Sequence, residues 1–189
     1  IPHKKYKMTP AQVVSGAKEA EVTKLISIGT SMEEAELVIR TASNFENVFP
    51  TAGIYPHEDR NRSLEELEKE FRKILNKYKK DIVGIGECGI DISNWENSRP
   101  IDEQVELFEI QIKLAKENSL PLIVHNRNGD EYVLRLLEKH SDIKLRGVIH
   151  CFSGDIDTAR KYLDMGFFIS LGAYIGYPSS LHTHNVIRS

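Results

Sequence analysis

Three residues in this chain have the types and positions to do metal chemistry. Glu87 closes the short apolar run Ile82-Val83-Gly84-Ile85-Gly86-Glu87, His125 closes Pro121-Leu122-Ile123-Val124-His125, and His150 closes Gly147-Val148-Ile149-His150. Each run reads as a strand, and helical segments separate them. A carboxylate and two imidazoles at the C-terminal ends of successive strands form a donor set for a divalent ion of the zinc, manganese or magnesium kind. In barrels of alternating strands and helices, catalytic residues sit at these strand ends. Glycines on both sides of Glu87, in Gly86-Glu87-Cys88-Gly89, allow an ion or substrate to approach the backbone. Asp91, four residues on, is placed to hold a ligand by an outer hydrogen bond.

Other reactive side chains stand nearby. Arg127 lies two residues beyond His125 and could fork onto a phosphate; its alternative is a surface ion pair. His57, after Gly53-Ile54-Tyr55-Pro56, is a candidate substrate contact or a plain loop histidine. Cys88 and Cys151 each follow a proposed ligand. Strand alternation then turns both thiols outward, toward the helices, as buried structural groups. His182 and His184 form a His-x-His pair, but a helix sends positions i and i+2 to different faces, so the pair is a poor metal site. His3 and His140 carry no such context.

The elements that must position these groups alternate along the chain. Helices are predicted over residues 9–21, 31–43, 63–78, 101–117, 131–140 and 156–165, and strands over 22–28, 48–55, 82–87, 122–125, 147–150 and 167–171. Thr9 before Pro10 marks one helix start, and Ser31 with Glu34 forms a capping-box pattern for another. Leu64, Leu67, Phe71 and Leu75 repeat at helical spacing, as do Leu107, Ile110 and Leu114. Residues 179–189 read as helical at best. The near-continuous apolar strands belong to a covered parallel sheet, in an α/β fold. Two closures fit: a doubly wound open sheet, or a (β/α)8 TIM barrel that is incomplete here, since a whole barrel takes about 250 residues. The first and last strands would lie outside this sequence. Without linker, repeat or low-complexity tract, residues 1–189 read as a single domain.

Composition narrows the class. Of 189 residues, 40% are hydrophobic and 28% charged, which fits a globular chain rather than a disordered one. The net charge is −3, so nucleic acid could not be held by bulk positive charge alone. Two cysteines without a CxxC pair make no disulfide framework and point to a reduced, cytoplasmic setting. No apolar run is long enough to span a membrane, and no signal-peptide pattern is visible. Nothing calls for an obligate protein partner.

Four motifs in order give the chain a resemblance. Gly-Ile-Tyr-Pro-His (53–57), Gly-Glu-Cys-Gly-Ile-Asp (86–91), Val-His-Asn-Arg (124–127) and Ile-His-Cys-Phe-Ser-Gly (149–154) resemble the TatD family of metal-dependent deoxyribonucleases, within the amidohydrolase-like barrels. The resemblance implies that Glu87, His125 and His150 bind metal and take part in catalysis. It implies that His57 lies at the active-site mouth, that Arg127 contacts substrate, and that DNA is the substrate. It also implies a centre of two divalent ions, Mg, Mn or Zn. The departures are specific. Tyr55 stands where the family often has His, and Ile92 where it often has an aromatic. The family's His-x-His strand and its last metal-binding Asp have no counterpart in these residues. Two alternatives follow: a metal-dependent amide or lactone hydrolase on the same barrel, or a non-catalytic scaffold of the fold.

Overall fold

The computed structural model describes residues 7–93, 96–141, 145–177 and 180–188. His3 and the side chain of His182 lie outside the described residues. Strands β1 (Leu25–Ser27), β2 (Val48–Pro50), β3 (Ile85–Asp91), β4 (Leu122–Arg127), β5 (Gly147–His150) and β6 (Phe168–Ile169) alternate with helices α1 (Pro10–Glu19), α2 (Met32–Ala42), α3 (Leu64–Lys77), α4 (Ile101–Asn118), α5 (Asp130–Lys139), α6 (Ile156–Asp164) and α7 (Leu181–Arg188).

All strand pairs are parallel, and strand order follows chain order. β1 pairs with β2, and β3, β4, β5 and β6 pair in succession. An Ala52–Ile85 bridge, with Gly86 N–H donating to Ala52 O at 2.9 Å, joins β2 to β3. A doubly wound sheet reverses its strand order at a switch point; this one never does. The arrangement is therefore the wall of a (β/α) barrel. Among the described residues β1 and β6 do not meet, so the barrel is not closed.

Local chemistry sets the helix starts. The Thr9 hydroxyl accepts from Gln12 N and the Gln12 side chain returns to Thr9 N, a full capping box. Ser63 and Glu66 form another at α3. At α2 the Ser31 hydroxyl accepts from Glu34 N, while Met32 N donates to Asp59 of the following loop at 2.7 Å. The apolar faces then bury. Leu67, Phe71 and Leu75 of α3 and Leu107 and Leu114 of α4 share one buried core with Ile85 and Leu122. Each fully buried side chain of this size contributes about 1.5–3 kcal/mol. No described helix is long and apolar enough to cross a membrane.

Several strands differ from expectation. β1 covers only the middle of residues 22–28. β2 stops at Pro50, because from Ala52 the chain swings toward β3. Beyond it, both backbone groups of Ile54 pair with the side-chain amide of Gln111 on α4, at 2.9 and 3.0 Å, rather than with a strand. β3 begins later and ends later than 82–87, so Glu87 lies inside it and not at its end. The ladder shifts register between Ile85 and Cys88, and this lets β3 continue to Asp91 beside β4. β4 likewise continues to Arg127. A 3-10 turn over Ala173–Gly176 was not expected.

Candidate metal-binding and active site

Glu87 and His125 are brought together by two glycines. Gly86 and Gly89 have φ of 146° and 139°, in the region that favours glycine. A Cβ at Gly89 would lie 2.0 Å from His125 O, so β3 and β4 approach this closely only because no side chain intervenes. Gly89 and His125 are register partners, and so are His125 and His150. His125 and His150 are thus level with Gly89 across the sheet, and Glu87 lies two residues back along β3. Glu87 Oε1 stands 3.1 Å from His125 Nδ1, with both side chains about one-sixth exposed.

The far side of the His125 ring is held by buried groups. Its Nε2 lies 3.1 Å from Asp91 Oδ2, and the Tyr55 hydroxyl donates to that same oxygen at 2.5 Å. Ser93 N–H donates to Asp91 Oδ1 at 2.9 Å, and the Ser93 hydroxyl bonds the same oxygen. Burial alone would raise the Asp91 carboxyl, but the Ser93 and Tyr55 hydrogen bonds prevail and hold it near 2. Burial and the Asp91 charge push the Tyr55 phenol up, so it stays a donor. Gln104 of α4 accepts from Asp91 N at 2.9 Å and donates to Asp91 O and Arg99 O. The Arg99 guanidinium is buried and donates to Pro56 O at 3.0 Å and Glu58 O at 2.8 Å, fixing the loop that carries His57.

The remaining candidates are more loosely set. His150 Nε2 is 3.4 Å from Cys151 Sγ, and its Nδ1 is 3.4 Å from Ser170 Oγ. Arg127 is exposed at the end of β4, forms no ion pair among the described residues, and is near enough for its charge to act on Tyr55. His57 Nδ1 accepts from Arg99 N at 3.2 Å, and its ring meets Tyr55 edge-on at 5.9 Å. Burial, working against the Asp91 charge, lowers the His57 pKa. A cavity of about 310 Å³ opens beside His57, Arg60 and Arg62. The larger cleft, about 920 Å³, lies between α2 and α3 under mixed charges and is lined by none of the candidate site residues, so size does not mark the site here.

Some expectations are corrected. Cys88 is buried, its thiol pushed up by burial and set against Ile123 O. Cys151 is exposed, contrary to the reading of two buried thiols. β5 ends at His150, and Cys151 turns to φ 49°, so strand alternation no longer governs it. His140 bonds Glu109 at 3.0 Å and His184 bonds Ile175 O at 2.7 Å, both structural contacts. Tyr55, Ser93, Gln104 and Arg99 were not singled out as site residues from the sequence. The two glutamines had a visible signal: Gln104 and Gln111 are seven residues apart, on one face of a helix whose other buried positions are mostly apolar.

The donor set fits a divalent ion. An ionised carboxylate only accepts hydrogen bonds, so Asp91 requires a proton on His125 Nε2. Glu87 then faces the other ring nitrogen with lone pairs on both sides. An ion shared by Nδ1 and Glu87 would occupy the lone pairs of both. Two ligands about 2 Å from a tetrahedral ion sit about 3.3 Å apart, close to the 3.1 Å between Glu87 and His125. Among the described residues no group of three His, Cys, Asp or Glu side chains is drawn close enough to hold an ion as placed. Glu87 and His125 form the assembled pair, and His150 stands one strand away.

Ordered parallel strands, with carboxylate and imidazole at one end, place the chain among the α/β-barrel proteins equipped to bind a metal. The comparisons are more specific. The TatD related DNase family matches residues 1–189, and the chain belongs to that family. It is 29% identical over 177 residues to the uncharacterized metal-dependent hydrolase YabD of Bacillus subtilis, covering 94% of this chain and 68% of that protein. It is 32% identical over 164 residues to the 3'-5' ssDNA/RNA exonuclease TatD of Cronobacter sakazakii, covering 87% of this chain and 60% of the relative. The crystal structure of the TatD homologue YjjV from Escherichia coli superposes with a TM-score of 0.81 at 28% identity, over 92% of this chain and 68% of that one. The chain thus spans roughly two thirds of the length of these relatives.

Proposed function

We propose that this chain carries the metal-binding wall of a metal-dependent phosphodiesterase acting on DNA. Glu87, His125 and His150 would hold a divalent ion, Mg, Mn or Zn, at one half of a two-ion centre. The observation that carries the reading is the placement of His125. Asp91 stands 3.1 Å from Nε2 as a hydrogen-bond acceptor, and Nδ1 is left facing Glu87 at ligand spacing. A bound divalent ion would supply a water of lowered pKa and would polarise the phosphoryl oxygens. The chain's own residues bind and orient. Arg127, exposed and unpaired among the described residues, is free to fork onto a phosphate oxygen. His57, near the mouth and held neutral by burial, offers a hydrogen bond rather than a charge. DNA as substrate accords with the net charge of −3, because metal and a few local cations replace a basic surface.

The test uses a labelled single-stranded oligonucleotide with manganese or zinc, against chelator. Metal-dependent cleavage is expected, with Glu87→Gln and His125→Ala losing more metal affinity than the roughly 10–100-fold that a supporting residue costs. Calorimetric titration measures that affinity. Unchanged binding in Glu87→Gln, His125→Ala and His150→Ala would remove the ligand assignment. Cleavage that persists in chelator would remove the mechanism.

A further inference from the structure

Tyr55 occupies an unusual place beside the two histidines. Its hydroxyl is 2.5 Å from Asp91 Oδ2 and 3.3 Å from His125 Nε2, while Nε2 is itself 3.1 Å from that Asp91 oxygen. The phenol has one proton, and its hydroxyl donates it in the hydrogen bond to Asp91. The lone pairs of the phenol oxygen are then left toward His125 Nε2. Both neighbours of this ring nitrogen accept hydrogen bonds, so both select the form with the proton on Nε2. A half-turn of the imidazole about its Cβ–Cγ bond would set ring carbons against the carboxylate and the phenol, and would forfeit these contacts. The Tyr55 ring opposes such movement directly, packing on His125 at a centroid distance of 4.7 Å and an angle of 62°. Tyr55 is fixed in turn. It follows Ile54, whose backbone is clamped by Gln111, and its own N–H donates to Thr30 O at 2.8 Å.

We propose that Tyr55 is a positioning residue for the metal-facing side of His125: with Asp91 it locks the imidazole so that Nδ1, and not Nε2, is offered to an ion beside Glu87. This rests on the reading of Glu87 and His125 as ligands. Asp91 alone would supply the acceptor for Nε2–H. Tyr55 adds a second acceptor, a steric stop on the ring, and a donor that holds the carboxylate in place.

Tyr55→Phe keeps the ring and removes the hydroxyl, and two measurements read the result. The first is read with zinc bound. Nitrogen-15 spectra of the histidines report which ring nitrogen then carries the proton. In the unaltered chain His125 is expected as the Nε2–H form, and in Tyr55→Phe a fraction with the proton on Nδ1 should appear. The second is calorimetric titration with zinc or manganese, where Tyr55→Phe should bind about tenfold more weakly, at the low end for a supporting residue. Its melting midpoint should fall by only a few degrees, as for the loss of one hydrogen bond. An Nδ1–H form of His125 in the unaltered chain overturns the proposal, and this reading does not depend on whether the variant folds. Unchanged affinity in Tyr55→Phe, while Glu87→Gln and His125→Ala lose theirs, overturns the proposal alone. If those two variants also bind as before, the ligand reading fails and takes the proposal with it.

Discussion

On the β3–β4 wall nearly every polar side chain of the candidate site is held by another. Asp91 is buried and takes bonds from Tyr55, Ser93 and His125, and Gln104 braces its backbone. On the β5–β6 edge the corresponding groups stand in looser contact. Among the described residues the hydrogen-bond contacts of His150 are two at 3.4 Å, Cys151 is exposed, and Phe168 is 74% exposed. One half of the candidate site is fixed by its own hydrogen bonds, and the other is held more loosely. A ligand pair set by hydrogen bonds and glycine packing gives geometry in advance, whereas a third ligand on an open edge gains its order from the ion it binds. Local stability should differ between the two regions in the same sense.

The largest break should come at the strand crossing. Gly89→Ala puts a methyl 2.0 Å from His125 O at a φ of 139°. Strain of about 1–3 kcal/mol and overpacking of similar size give a loss of about 4 kcal/mol. Gly166 supplies the matched control near the edge: its φ is 81°, yet nothing lies near a Cβ there. Gly166→Ala should cost only about 1 kcal/mol. Urea denaturation of the metal-free variants measures both. Equal losses would mean that close packing of β3 on β4 is not what sets the wall apart.

Asp91→Ala should follow. It strands the Tyr55 hydroxyl, the Ser93 donors and His125 Nε2, for a loss of about 3 kcal/mol. Gln104→Leu keeps the shape but leaves Asp91 N and Asp91 O without their amide, and should cost about 2 kcal/mol. If Gln104→Leu proves as costly as Asp91→Ala, the brace matters more than the carboxylate it supports.

The candidate ligands are legible because they stand in short, well-bounded apolar runs, and four motifs tie those runs together. Helices were legible for a similar reason: the 3.6-residue period of Leu67, Phe71 and Leu75 repeats across several turns. Strand ends were not. β3 outlasts its apolar run because the bulge after Ile85 and the glycines at 86 and 89 keep it paired to β4, which is a tertiary effect. Cys151 was misread because alternation was carried one residue past the end of β5. Tyr55 and Gln104 were missed because their partners, Asp91 and its backbone, lie 36 and 13 residues away in the chain. Hydrogen bonds of that kind leave no period. Glutamine in an apolar helical face was the one readable trace.

The smallest expected effect is also the most direct test of the contrast. His125→Ala removes a donor from buried Asp91 and a partner from Glu87, so the metal-free chain should lose about 1–2 kcal/mol. His150→Ala removes only long contacts to Cys151 and Ser170 at a partly open edge, and its stability should stay within about 0.5 kcal/mol of the parent. Both variants should nonetheless lose divalent-ion affinity, since both remove a proposed ligand. Denaturation and calorimetric titration on the same two proteins separate the quantities. If stability falls equally in both, the β5–β6 edge is as firmly built as the wall. If His150→Ala keeps full affinity, His150 is a neighbour of the site and not part of it, and the ion is held from β3 and β4.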